Sequence, residues 1–509
     1  MQRGRQILYT SEPYITRDNI IPILQKLLPI HQQNADRIIF LANYEKGEQP
    51  IIRKTPKKYR PDIDCQCVDN VANEITDFKT SFHWGNPITL VQRGEDKKNN
   101  LLYTDGISLL NQCYEAEEIR KKTQHLARNV EIGGLGYTYV DINMDEEDIN
   151  QGGSYFKIES LEPTNTFVVR SNYYFDKRPM IGVTYREIDG VKYITAFTKD
   201  FRFELKGFEH AERSGEKNPL GAIPIIEWIR SYDMMGCFER QLSEMDNLNL
   251  LISDFTNDIE QTTQVVWHTV DVEFPTVVTK NEDGTETEEV RKPKSNEWLQ
   301  TYSTTDGKSP KISPLTVDYD YDGMLKNIVA RRSLILQKCN VPSRNDNSGG
   351  STGVAMDSAT GWSSAEAEAQ KQQNIMESCK MEEVKVVLRA IQASPYVPSD
   401  SPISQLKYTD IQPSIKRSKT YELTVKTNAL VSLLSHGFDL KDATQAIPIF
   451  EDNNQVIERS GNGVKKYQEA NVFKIDTQNS QETEEKRPFA DYSDEQGQSP
   501  LIGGMSKTE

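Results

Sequence analysis

Between Met234 and Val341 the chain reads as a long helix, a compact β-rich excursion and a second long helix. Few folds accommodate that order. The first helix carries Phe238, Leu242, Met245, Leu248, Ile252, Phe255 and Ile259 at steps of three and four, which makes one apolar stripe. Its other face is mostly acidic: Glu239, Glu244, Asp246, Asp254, Asp258 and Glu260. The second helix places Tyr321, Leu325, Ile328, Val329, Ile335 and Cys339 on its stripe and the basic Lys326, Arg331, Arg332 and Lys338 among its polar positions. Two helices of opposite charge around a β module predict an antiparallel hairpin with an inserted head. The rest of the chain is expected to hold that hairpin in place.

A chain of 509 residues exceeds one ordinary domain, and its size suggests roughly three or four units. Hydrophobic content of 36% and a mean hydropathy of -0.65 are low for a globular chain without pointing to wholesale disorder. Polar tails, or apolar surface buried against further copies, account for such values. A net charge of -16 argues against a protein that coats DNA by neutralising phosphates. The six cysteines, at 65, 67, 113, 237, 339 and 379, form no repeated C-x-x-C pair and read as reduced thiols. The N-terminal sequence has no apolar core, so no secretory signal is expected, and no run of about 18 apolar residues predicts a membrane span.

In chain order, residues 1–30 read as a mobile arm and a short helix, with a second helix over 29–43. The proline-punctuated basic segment Arg53-Lys54-Thr55-Pro56-Lys57-Lys58-Tyr59-Arg60-Pro61 reads as a solvated loop or as a surface for a nucleic acid or acidic neighbour. Helices are expected over 64–84 and 105–131. The glycine cluster Gly133-Gly134-Leu135-Gly136 has Tyr139 where a dinucleotide fingerprint needs its third glycine, so it reads as a helix stop and strand entry. Residues 137–230 are β-rich, with a hairpin turn at Asp189-Gly190. A long helix is expected over 363–392, and a strand at Tyr421–Thr427 followed by small helices. From about 471 the composition predicts disorder. Gly307-Lys308-Ser309 lacks the partner glycine of a phosphate loop because Tyr302 stands there. No metal-ligand spacing or nucleophile motif appears, so no catalytic residue, metal or cofactor is assigned.

These stretches, in this order, resemble the portal (connector) proteins of tailed bacteriophages, of the long-tailed-phage type. The matching pieces are Ala42-Asn43-Tyr44-Glu45-Lys46-Gly47, the helix ending Phe82-His83-Trp84-Gly85-Asn86-Pro87-Ile88, Gly134-Leu135-Gly136-Tyr137-Thr138-Tyr139-Val140, Pro224-Ile225-Ile226-Glu227-Trp228, Ser253-Asp254-Phe255-Thr256-Asn257-Asp258-Ile259, the Ile335–Pro342 exit and Lys426-Thr427-Asn428-Ala429-Leu430.

The resemblance implies an α+β portal-type fold that assembles as a ring, typically a dodecamer, at one capsid vertex. It implies an arm (1–24), a wing (25–233 with the long helix of 363–410), a stem of two helices (234–264 and 318–341), a β-rich clip (265–317), a tunnel loop (342–362), a helical crown (411–470) and a disordered tail (471–509). It also implies a non-enzymatic conduit for double-stranded DNA during packaging and ejection. Implied partners are the terminase large subunit, a head-completion adaptor, and the major capsid and scaffolding proteins, in the host cytoplasm during assembly and then in the virion, with no membrane.

Candidate DNA-channel residues under this resemblance are Lys326, Arg331, Arg332, Lys338, Arg344, Asn345, Asn347 and Ser348. Docking candidates are Asn281, Glu282, Asp283, Asp306 and Lys308. Basic residues on the second helix equally suit pairing with the acidic first helix of a neighbour. Two rivals stay open: a phage-encoded nuclease or transferase with its site in 137–230, and a structural adaptor that never meets DNA.

Overall fold

The computed structural model describes residues 3–56, 61–93, 100–263, 320–342, 361–415 and 420–447, short strands between 267 and 314, and the single residues 417, 449 and 460. The chain divides into two compact units, 1–417 and 418–509.

The first unit opens with strand β1 (Leu8–Thr10), followed by helix α1 (Arg17–Glu45). One helix replaces the two expected here. Pro22 and Pro29 lie inside it, and each removes an intrahelical bond. The buried row Ile20, Leu24, Leu27, Leu28, Ile38 and Leu41 runs past both prolines and packs into three cores, which outweighs that cost. The arm expected to be mobile is fixed from Arg3 on. Leu8 is buried, β1 pairs in parallel with a later strand, and Gln6 and Asn34 exchange two hydrogen bonds of 2.9 Å.

Helix α2 (Val71–Trp84) starts later than expected, because residues 63–70 are not helical. Strand β2 (Thr89–Gln92) leads to α3 (Asn100–Ala116) and α4 (Ile119–Gly133). The stretch expected to be helix-rich over 105–131 is two helices, divided at Glu118, whose φ of 52° lies in the left-handed region. Gly134 ends α4 with φ 79°, where a Cβ would lie 2.3 Å from the carbonyl oxygen of Met234. That crowding, and not phosphate binding, accounts for the glycine.

Strands β3 (Leu135–Ile142), β4 (Phe156–Leu161), β5 (Thr166–Ser171), β6 (Pro179–Ile188), β7 (Val191–Phe197), β8 (Phe201–Lys206), β9 (Glu209–His210), β10 (Glu216–Lys217) and β11 (Ile225–Ile229) make the β-rich body, interrupted by the short α5 (Glu146–Asn150). One sheet runs β1-β5-β6-β7-β8-β10 with β9 on β8, and the other runs β11-β3-β4. Asp189 and Gly190, both at positive φ, close the β6–β7 hairpin as their sequence predicts.

Helix α6 (Leu242–Thr263) follows a 3-10 turn at Glu239–Gln241. At 1.5 Å per residue it extends about 33 Å. In the head, β12 (Trp267–Val270) pairs with β17 (Lys311–Pro314), β13 (Val272–Glu273) with β16 (Tyr302–Ser303), and β14 (Thr276–Lys280) with β15 (Glu286–Val290), all antiparallel. Helix α7 (Tyr321–Lys338) returns alongside α6. Helix α8 (Trp362–Ala393) packs across β3 and β11, and β18 (Ile411–Ser414) pairs with β2.

The second unit holds α9 (Thr420–Ser435) and α10 (Leu440–Ala446). Residues 421–427, expected as a strand, belong to α9. Thr and Val cost a helix only a few tenths of a kcal/mol each, and the helical run Ala429–Ser435 extends the nucleus they share. The expected disordered tail lies outside the described residues.

Candidate functional site

The two long helices α6 and α7 are held very differently. Helix α6 buries Leu242, Met245 and Leu248 against Leu41 and Tyr44 of α1, Val71 and Ile75 of α2, and Phe238. A second row on α6 is polar and also buried: Asn249, Ser253 and Asn257. Against it lies the non-helical segment 63–70. The N–H of Cys65 donates to Asn257 Oδ1 at 2.7 Å, that of Cys67 to Ser253 Oγ at 2.9 Å, and that of Asp69 to Asn249 Oδ1 at 2.9 Å. The match is geometric. Four residues of helix advance about 6.0 Å, and two residues of extended chain advance about 6.6 Å. An i, i+4, i+8 row on the helix can therefore receive every second N–H of an extended strand. It satisfies donors that have no sheet partner.

The entry to α6 is fixed by Glu239, which is fully buried. Its carboxylate pairs with Arg5 from the N-terminal arm and accepts from Arg37 Nε of α1 at 3.3 Å. The N–H groups of Gly4 and Gly236 also donate to it, each at 3.1 Å. Two remote pieces of chain, the arm and α1, thus meet on one side chain, and a buried carboxylate is tolerated only with such partners.

The exit from α7 adjoins a second buried cluster. Glu131 of α4 meets Arg230 at 2.8 Å, His83 at 3.3 Å and the indole N–H of Trp84 at 3.2 Å, and Gln372 of α8 donates to it at 2.6 Å. Burial opposes charge on Glu131, but Arg230 and His83 outweigh it and hold the carboxyl well below its usual range. Glu368 of α8 pairs with both Arg230 and Lys79, and Lys79 Nζ lies 3.4 Å from the Asn340 carbonyl oxygen just past α7. There Asn340 takes a φ of 53°. A Cβ placed on Gly361 would lie 3.9 Å from Pro342 Cα, so the chain leaves at Pro342 and returns beside it. Trp362 then sets its ring edge against Phe78 and Phe82.

Helix α7 buries far less. Ile328 and Ile335 face the core, whereas Leu325 is 51% and Val329 59% exposed, although all four share the expected apolar stripe. Of the channel candidates, Lys326 forms an exposed pair with Asp322 on its own helix. Arg331 and Lys338 each lie 3.8 Å from Glu244 of α6, in half-exposed pairs. Arg332 is engaged by Asp69 at 2.9 Å and by Glu74, which ties α7 to α2. The expected attraction between the basic and acidic helices thus operates within one chain through Glu244. Arg344, Asn345, Asn347 and Ser348, and the docking candidates Asn281, Glu282, Asp283, Asp306 and Lys308, lie outside the described residues.

Residues outside the channel and docking candidates do most of the positioning. The Asn249, Ser253, Asn257 spacing was a readable signal, a row of small polar residues at helical period. Arg5 and Glu239 offered none, being 234 residues apart. Among the described residues, no group of three or more His, Cys, Asp or Glu side chains stands close enough to share a metal ion, and no helix is long and apolar enough to cross a membrane.

A family model described as phage portal protein, SPP1 Gp6-like, matches residues 24–470 of this chain. No curated protein matches it.

Proposed function

The chain belongs to the SPP1 Gp6-like phage portal proteins, and from that premise we propose that it assembles as a closed ring at one vertex of the capsid. The ring is the conduit through which double-stranded DNA enters and leaves, and the platform on which the terminase large subunit and later a head-completion adaptor dock. In this reading residues 25–233 and 363–410 are the wing, 234–264 and 318–341 the stem, 265–317 the clip, 342–362 the tunnel loop and 411–470 the crown. Major capsid and scaffolding proteins surround the wing. The role is structural, and the work of translocation belongs to the terminase.

The observation that carries this reading is the half-covered stripe of α7. Leu325 and Val329 sit at core spacing yet face outward on a helix that buries Ile328 and Ile335 and also leaves Leu334 exposed. A heterologous contact repeated around a closed axis covers such a stripe in every copy. The physics of a conduit agrees. Passing DNA of any sequence excludes base readout, and a net charge of -16 avoids strong phosphate binding that would stall movement. Lys326, Arg331 and Lys338 are exposed enough to touch phosphates in passing. Arg332 shares its charge with two carboxylates of its own chain.

Native mass spectrometry with negative-stain imaging of the purified chain tests the reading. A closed ring of about a dozen subunits with a central hole is expected. A chain that stays monomeric at all concentrations overturns it. Alanine at Lys326, Arg331 and Lys338 together is then expected to slow DNA packaging into capsids while leaving the ring intact.

A further inference from the structure

We infer that Leu325 and Val329 on α7 of one copy pack against Leu250 on α6 of the next, so that each stem hairpin seats sideways on its neighbour at equal height. The inference rests on the ring reading above and specifies which surfaces meet.

Three observations lead there. The first is exposure. Leu250 is 37% and Ile259 41% exposed on a helix that buries Leu248 completely, and Leu325, Val329 and Leu334 are exposed on α7; at 100° per residue Ile259 and Leu334 fall on the opposite faces of their helices. The chain covers none of Leu250, Leu325 and Val329 well, and its own body packs elsewhere on both helices.

The second is direction. Helix α7 faces α6 through Arg331 and Lys338, which reach Glu244, and faces α2 and residue 69 through Arg332. At 100° per residue, Leu325 and Val329 fall beside Arg332 and away from Arg331. On α6, Leu250 shares its outward row with Ser243, Asn247 and Asp254, and Glu244 marks the turn toward α7. In an antiparallel hairpin these positions put Leu325 and Val329 on one side of the plane of the two helices and Leu250 on the other. A surface and its complement on opposite sides of one unit is the arrangement a head-to-tail ring requires.

The third is height. The ring of Phe255 lies 6.1 Å from that of Tyr321, which fixes the register of the two helices. Leu250 stands five residues from Phe255, about 7.5 Å along the axis, and Leu325 and Val329 stand about 6 and 12 Å from Tyr321. The three residues therefore share one level within about 5 Å. Cyclic symmetry has no rise, so surfaces at the same level on successive copies are the ones that meet.

The test is disulfide trapping. In the full chain with Cys65 and Cys67 replaced by serine, Leu250→Cys and Val329→Cys are introduced together and singly, and mild oxidation is followed on non-reducing gels. The pair is expected to give a ladder of covalent oligomers, and either single variant no ladder. Rings seen by native mass spectrometry without a ladder overturn this pairing and leave the ring reading standing. A folded double variant and a folded parent that both fail to form rings overturn the two together. Val329→Glu supplies an independent readout: the side chain is exposed, so the far-UV spectrum is expected to stay unchanged while ring assembly weakens by at least about tenfold. Assembly equal to the parent's overturns the pairing.

Discussion

Helices α6 and α7 carry similar apolar periodicity, yet one is seated by its own chain on most of its circumference and the other is half bare. On α6 the apolar row meets three helices, a polar row carries an extended segment, and the first turn is pinned by a buried carboxylate. On α7 only Ile328 and Ile335 are core residues, and the ion pairs are exposed or half-exposed. The contrast shows that periodicity reports that a stripe must be covered, but not by whom. Where stripe residues stay exposed in a single chain, a partner surface is the physical completion.

The largest effect expected on the α6 side is from Glu239→Ala. It leaves Arg5 and Arg37 buried without their carboxylate and is expected to cost about 3–5 kcal/mol in urea unfolding. A loss below about 1 kcal/mol would mean that water replaces the pairing and that α6 is not pinned. Next, Leu248→Ala is expected to cost about 2–5 kcal/mol, while Leu325→Ala stays within about 0.5 kcal/mol for the monomer and lowers oligomer stability instead. Equal costs at the two sites would erase the distinction between the helices.

A pH titration sharpens the comparison from the side of the body that seats α6. Burial depresses His31 from 6.5 to about 4, partly opposed by its bond to the Thr164 carbonyl oxygen. The folded state therefore favours the neutral ring. Its contribution is complete above pH 6.5 and is lost as pH falls from there to about 4. The loss is on the order of 3 kcal/mol, and His31→Gln is expected to flatten that limb of the stability curve. A smaller effect than at Glu239 is expected from Asn249→Ala, at about 1–3 kcal/mol. It orphans the Asp69 N–H, so faster amide exchange confined to residues 65–69 is the more telling readout.

Much of the architecture was legible in the sequence because it rests on local pattern. The long helix α8, the Asp189-Gly190 hairpin and the β-rich body all follow from local pattern and turn chemistry. What was not legible depends on partners far along the chain. Residues 63–70 have no strand neighbour, and their conformation follows from three side chains some 180–192 residues away. The 29-residue α1 passes through two prolines because of the cores on its buried face. Leu325 and Val329 look identical to core residues in one dimension, and only packing separates them from Ile328 and Ile335. For the candidate site, the two helices and the basic residues on α7 were readable as pattern. It gave no hint that Arg332 is held by Asp69 and Glu74.

The chain departs at Pro342 and comes back beside it at Gly361, between anchors on both sides: Asn340 on Lys79 and Glu368, Trp362 on Phe78 and Phe82. Whatever is strung between those two points is bounded by ends that are already together. The free energy of joining them grows only with the logarithm of the contour, about 0.6 kcal/mol for each doubling. Joined ends of this kind make a length-tolerant position, because segments of different size can connect them for little stability.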